Sequence, residues 1–155
     1  MGNKLEREQL IKGVWDKDID KYPLDEYTFE STCGYICEIK RNNNWIYCGY
    51  VQLPENHPDF DKEYNDIQDI HVHGDLTFGE NGKFGFDCGH ILKGDISPQD
   101  ETLKITNPME STVLTSLHGN ECYHYWTFDE VKNELENLAN QFKCNSQKLN
   151  NLFLF

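Results

Sequence analysis

Asn81-Gly82 constrains this chain more than any other pair of residues. A two-residue type I′ turn needs positive φ at both central positions, which Asn and Gly tolerate, so the flanking runs are committed to an antiparallel hairpin. Those runs are His-Val-His-Gly-Asp-Leu-Thr-Phe at 71–78 and Phe-Gly-Phe-Asp-Cys-Gly-His at 84–90. With Asn81 and Gly82 as the loop, Phe78 pairs with Gly85, Thr77 with Phe86, Asp75 with Cys88 and His73 with His90. Alternate side chains share a face of a strand, so His71, His73, Asp75, Thr77, Phe86, Cys88 and His90 are predicted to line one side. A one-residue bulge would exchange Asp87 for Cys88 on that face, and Gly74, Gly85 and Gly89 are where a bulge would sit.

A second hairpin precedes it. Residues 33–40 and 45–53 are rich in Tyr, Ile, Val and Trp and flank the polar turn Arg41-Asn42-Asn43-Asn44. If Lys40 faces Trp45, Cys37 lies opposite Cys48 and Tyr35 opposite Tyr50. Residues 27–29 open a further strand. At the start of the chain, Leu10, Ile11, Val14 and Trp15 make one apolar stripe on a helix over residues 4–17, and Pro23 closes the charged stretch after it. At the end, Thr127-Phe-Asp-Glu130 is a capping box followed by Val131, Leu135, Leu138 and Phe142 at helical spacing. Residues 54–70 read as a long acidic loop, and 112–117 as one strand-like piece. The expected fold is a single α+β domain over residues 1–155. It is a mainly antiparallel sheet of two hairpins with the N-terminal and C-terminal helices packed on it. Its core spans about 4–143, leaving a tail at 144–155 that docks or frays.

Charge narrows the partners. The chain of 155 residues has 14 Lys and Arg against 27 Asp and Glu, a net charge of -13. Bulk binding to nucleic acid or to an anionic membrane needs the opposite sign. The charged start MGNKLEREQL carries no apolar leader, which predicts a cytoplasmic protein, and six cysteines without a C-x-x-C pair predict free thiols. No phosphate-cradling glycine loop is present, so no nucleotide cofactor is expected.

The acidity is local. Residues 54–101 hold 12 carboxylates against three lysines, together with His57, His71, His73, His90 and Cys88. Carboxylate, imidazole and thiolate are the ligands of transition metals and the groups of acid–base and nucleophilic catalysis. Four readings of this face stay open. In the first, His73, His90 and His71 hold a divalent metal such as zinc, with Asp87 or Asp95 as base or further ligand, for hydrolysis of a small, phosphate-containing substrate. In the second, Cys88 is a nucleophile activated by a histidine. In the third, the same groups, with Asp75, Tyr64 and a His57 loop folded over them, bind a small polar ligand without turnover. In the fourth, the histidines only satisfy hydrogen bonds in a half-buried sheet. His118 and His124 read as surface or packing residues.

Gly49-Tyr50-Val51, Pro54, His57-Pro58, His73-Gly74 with Leu76-Thr77-Phe78, Gly85-Phe86-Asp87-Cys88 with His90, and Gly94-Asp95 together resemble a group of proteins encoded by tailed phages and other viruses. Val131-Lys-Asn-Glu134 with Leu138-Ala139 and Gln141 is similar to that group's final helix. The resemblance implies a viral origin and no particular activity. It sets a binder in the context of sequestering a host or viral metabolite or protein, as in interference with host defence. His57, His73, Asp87, Cys88, His90 and Asp95 fall on the pattern, whereas His71 and Asp75 depart from it.

Overall fold

The structure, a computed structural model, describes residues 14–90, 94–95 and 124–152. Its elements are α1 (Val14–Lys21), β1 (Glu26–Glu30), β2 (Ile36–Arg41), β3 (Tyr47–Gln52), β4 (Phe78–Glu80), β5 (Lys83–Asp87) and α2 (Phe128–Leu152). The strands form one antiparallel sheet in the order β1-β2-β3-β5-β4, so the fold is α+β as expected.

The turn that anchors the sequence reading is present. Asn81 and Gly82 have φ of 52° and 77°, and Phe78 faces Gly85 in the predicted register. The ladder is shorter than expected, however. Its last bond runs from the Thr77 N–H to the Gly85 carbonyl, and residues 71–76 leave the sheet. Gly74 and Asp75 both adopt left-handed φ, 68° and 64°, two successive residues far from the extended backbone of a strand.

The β2–β3 hairpin differs more. Arg41 pairs with Tyr47 and Cys37 with Val51, so the predicted facing of Cys37 with Cys48 is displaced by three residues. The cause is a larger turn: the Asn42 N–H donates to the Ile46 carbonyl, its side-chain oxygen takes the N–H groups of Asn44 and Ile46, and Trp45 has φ of 62°. An odd displacement flips faces. Cys37 is buried, and Cys48 lies on the other side of the sheet.

Helix α2 covers one face. Val131, Leu135, Leu138, Ala139 and Phe142 are fully buried against Cys37, Ile39, Val51, Phe84 and Phe86. Each large side chain so buried contributes about 1.5–3 kcal/mol. The capping box forms as the sequence predicts, with the Glu130 N–H on Thr127 Oγ1 and the Thr127 N–H on Glu130 Oε1. The helix continues through Leu152, well beyond its last core position, Phe142. The backbone of 144–152 is therefore helical rather than a loose tail.

Helix α1 extends past the predicted end at Lys17 as far as Lys21. Ile19 carries the apolar stripe one turn beyond Trp15 and is buried, and beside it Asp18 is buried and gathers three donors: the Tyr47 and Tyr125 hydroxyls on Oδ2, both at 2.7 Å, and the Phe128 N–H on Oδ1 at 2.9 Å. One carboxylate thus joins α1, the sheet and the first turn of α2. The predicted stripe residues Leu10 and Ile11 and the piece at 112–117 lie outside the described residues. Among the described residues no helix is long and apolar enough to cross a membrane.

The acidic loop at 54–70 is a chain of turns ending in a 3-10 helix at Tyr64–Asp66. His57 anchors it: Nε2–H donates to the Phe142 carbonyl at 2.8 Å, and Nδ1 accepts the Asp59 N–H. Phe60 lies against Gly82 and Tyr64 against Gly79, so the loop folds over the β4–β5 turn.

Candidate functional site

Asp95 is the centre of the site. It is 2% exposed, yet its carboxylate carries three donors. Oδ2 takes the His73 Nε2–H at 2.7 Å and the His90 backbone N–H at 2.9 Å, and Oδ1 takes the Trp126 indole N–H at 3.1 Å. A buried carboxylate without donors would cost several kcal/mol, so these bonds are what permit it there. The backbone returns the contact, since the Asp95 N–H donates to the His90 carbonyl and residue 95 bridges His124 in parallel.

His73 is held on two sides. Its ring lies 4.3 Å from the Trp126 ring at 38° and 5.8 Å from the His90 ring at 75°. With Nε2–H committed to Asp95, Nδ1 is the nitrogen that carries the lone pair in the neutral ring. The side chain is 16% exposed, which leaves it reachable.

His90 sits on Gly74. A Cβ at residue 74 would come within 2.2 Å of His90 Cδ2 and Nε2, so only glycine permits the imidazole to close on the His73 turn. His90 Nε2 is buried there without a hydrogen-bond partner among the described residues, and Asp87 Oδ1 stands 3.4 Å away, at ion-pair distance. Asp87 is itself tethered: Oδ1 takes the Gly89 N–H, the turn habit of aspartate, and Oδ2 takes the Thr77 hydroxyl. The site therefore contains two imidazoles, each facing its own carboxylate.

Strand alternation decides between Asp87 and Cys88. Asp87 pairs with Cys48 on the face away from α2, while Cys88 turns inward with Phe84 and Phe86 and is 3% exposed. Burial pushes the Cys88 thiol far above its ordinary value, and Asp95, Cys48, Asp87 and Glu134 add to the shift. That is the opposite of an activated thiolate, so the environment gives the nucleophile reading no support.

The remaining expected residues disperse. His71 is exposed and lines a groove along α2 with Asp69, Asn137, Asn140, Gln141, Cys144, Asn145 and Lys148. Asp75 is exposed in its left-handed turn, Tyr64 packs on β4, and His57 serves the loop anchor between Tyr35 and Phe142. The expected His57 cover over His73 is thus replaced by a structural clasp. His124 is exposed and bonded to Glu130. Among the described residues no group of three or more His, Cys, Asp or Glu side chains is placed to hold a metal ion.

Three residues of the site escape sequence reasoning. Trp126 precedes the capping box and reads as packing. Glu134 and Gln141 figure in the sequence only through the resemblance of the final helix, with no role at the site, although their spacing of seven is two turns and puts them on one side. Glu134 accepts the His73 N–H at 2.9 Å, and Gln141 binds both the N–H and the carbonyl of His71, each at 2.7 Å. No family model matches this chain, and no curated protein or solved structure matches it.

Proposed function

We propose that the chain is an acid–base enzyme that hydrolyses, or transfers a group on, a small polar substrate, with His73 as general base and His90 as the second proton-handling group. The observation that carries this reading is the 2.7 Å bond from His73 Nε2–H to the buried Asp95. Such a carboxylate fixes the tautomer, aims Nδ1 and stabilises the imidazolium formed when Nδ1 takes a proton. In this reading His90, one ring away, returns a proton to a leaving group through Nδ1, because Nε2 is buried against Gly74.

The surroundings select the substrate. Asp87, Asp95 and Glu134 repel an anion, so a phosphate ester would need a bridging cation, whereas a neutral or cationic molecule needs none. His73 and His90 are the residues that would hold such a cation, with Asp95 behind His73 as its outer partner. The described residues supply fewer than the three donors a zinc site takes, so the proposal rests on the histidines alone. A viral origin accompanies the reading only through the resemblance.

A panel of neutral and cationic esters and amides, with phosphoesters as the contrasting class, tests the proposal when turnover and thermal shift are read together. His73→Ala is expected to lose about 10²-fold or more of any turnover found, and His90→Ala a similar amount. Turnover unchanged in His73→Ala contradicts the proposal. A ligand that stabilises the protein and is never turned over makes it a binder. Stoichiometric zinc in untagged protein would move the reading to metal-assisted hydrolysis.

A further inference from the structure

Among the described residues, no strand lies beside the His71–His73 segment. The β4–β5 ladder ends at Thr77; further upstream the Asp75 N–H donates to the Val72 carbonyl, and the backbone groups of His71 and the N–H of His73 are met by side chains of α2. Gln141 takes both the N–H and the carbonyl of His71, as a neighbouring strand would, and Glu134 takes the N–H of His73. The two side chains are about 10.5 Å apart along the axis, two turns of one helix face. Leu135, Leu138, Ala139 and Phe142 are fully buried, so the rail that carries Glu134 and Gln141 is fixed to the core.

We propose that Glu134 and Gln141 are positioning residues: they dock the His71–His73 backbone on α2 and thereby hold the His73 imidazole on Asp95. The inference deepens the acid–base reading and rests on it for its importance, but its geometry stands without a substrate. His73 hangs between two anchors, Glu134 at its amide and Asp95 at its ring. A hydrogen bond to a charged group is short and directional, so releasing the amide by as little as 1 Å would draw the ring out of reach of a carboxylate that cannot follow. Asp95 cannot follow because Trp126 and the His90 N–H pin it. Glu134 is thus set to control where Nδ1 points without touching a substrate.

The experiment reads the His73 ring proton by ¹⁵N NMR on the full chain. The wild type should show His73 as the Nε2–H tautomer with a slowly exchanging ring proton. Glu134→Ala should speed that exchange about tenfold or more, while the amide of Val131 in the core of α2 keeps its rate. Glu134→Gln, which retains an oxygen acceptor, should restore the ring proton to within about threefold of wild type, as expected when position rather than charge is what matters. A wild-type ring-proton rate in Glu134→Ala overturns the proposal. Should that variant not fold, Gln141→Ala decides: faster His73 exchange supports the proposal and an unchanged rate overturns it. Failure of the enzyme reading would show separately, as turnover indifferent to His73→Ala, and would leave this measurement intact.

Discussion

Replacing Gly74 by Ala should damage the site more than the fold. Two costs follow from the structure. Residue 74 sits at φ of 68°, where an alanine costs about 1–2 kcal/mol. The new Cβ would lie 2.2 Å from the His90 ring, more than 1 Å inside ordinary contact, so the imidazole or the turn must move. Overpacking of this kind costs about 1–3 kcal/mol, giving roughly 2–5 kcal/mol in all. A domain of this size holds about 5–15 kcal/mol, so the variant should fold. With a urea slope of about 2 kcal/mol per M, the unfolding midpoint should fall by about 1–2.5 M. The His90 ring resonances should shift at the same time, while the amides of β2 and β3 stay in place. Wild-type stability with an unmoved His90 ring would refute the claim that this imidazole is seated on the His73 turn.

Other consequences test the frame around the site. Asp18→Ala strands two tyrosine hydroxyls and the Phe128 N–H, and should cost about 3–5 kcal/mol in chemical denaturation. A loss under 1 kcal/mol would count against Asp18 as the joint between α1, sheet and α2. Burial pushes Cys37 up to about 12 and Cys88 further, whereas Cys144 is exposed. A thiol reagent should therefore take Cys144 at once and the other two only at the rate of unfolding. Native labelling of Cys88 as fast as Cys144 would restore the nucleophile reading. Burial, then Cys48, Asp87 and Glu38, push the Tyr50 phenol from its ordinary 10.0 up to about 12. A raised folded value means the stabilisation is complete below pH 10 and lost as pH climbs towards 12. The part of the tyrosine absorbance that Tyr50→Phe removes should show that late step, and a difference at the ordinary value would contradict it.

Local chemistry explains what the sequence made legible. The β4–β5 register was readable because Asn81-Gly82 leaves the backbone one turn geometry. The β2–β3 register was not, because Asn42, Asn43 and Asn44 offer several turns, and the one adopted uses a left-handed Trp45, a residue with no preference for it. The buried face of α2 followed from its spacing, and α1 runs on to Lys21 because Ile19 extends the same apolar stripe by a turn, while its buried carboxylate, Asp18, had no signal in that spacing. At the site, the nearness of His73 and His90 followed from hairpin pairing. The ladder does not produce it: the glycine turn at 74 and the side chains of α2 do. Asp95 was legible as a candidate acid or base, while its role as a hub depends on Trp126, 31 residues away in sequence, a contact that no local pattern encodes.

The central claim is that Asp95 makes His73 a base, and the most direct measurement is the turnover of Asp95→Asn on the first substrate the panel yields. The asparagine keeps the volume and an acceptor for Trp126 or the His90 N–H, but lacks the negative charge that steadies an imidazolium. The account predicts that kcat falls by about 10²-fold or more while KM stays within about threefold. An Asp95→Asn protein that folds as the wild type does and turns over at the wild-type kcat would contradict it.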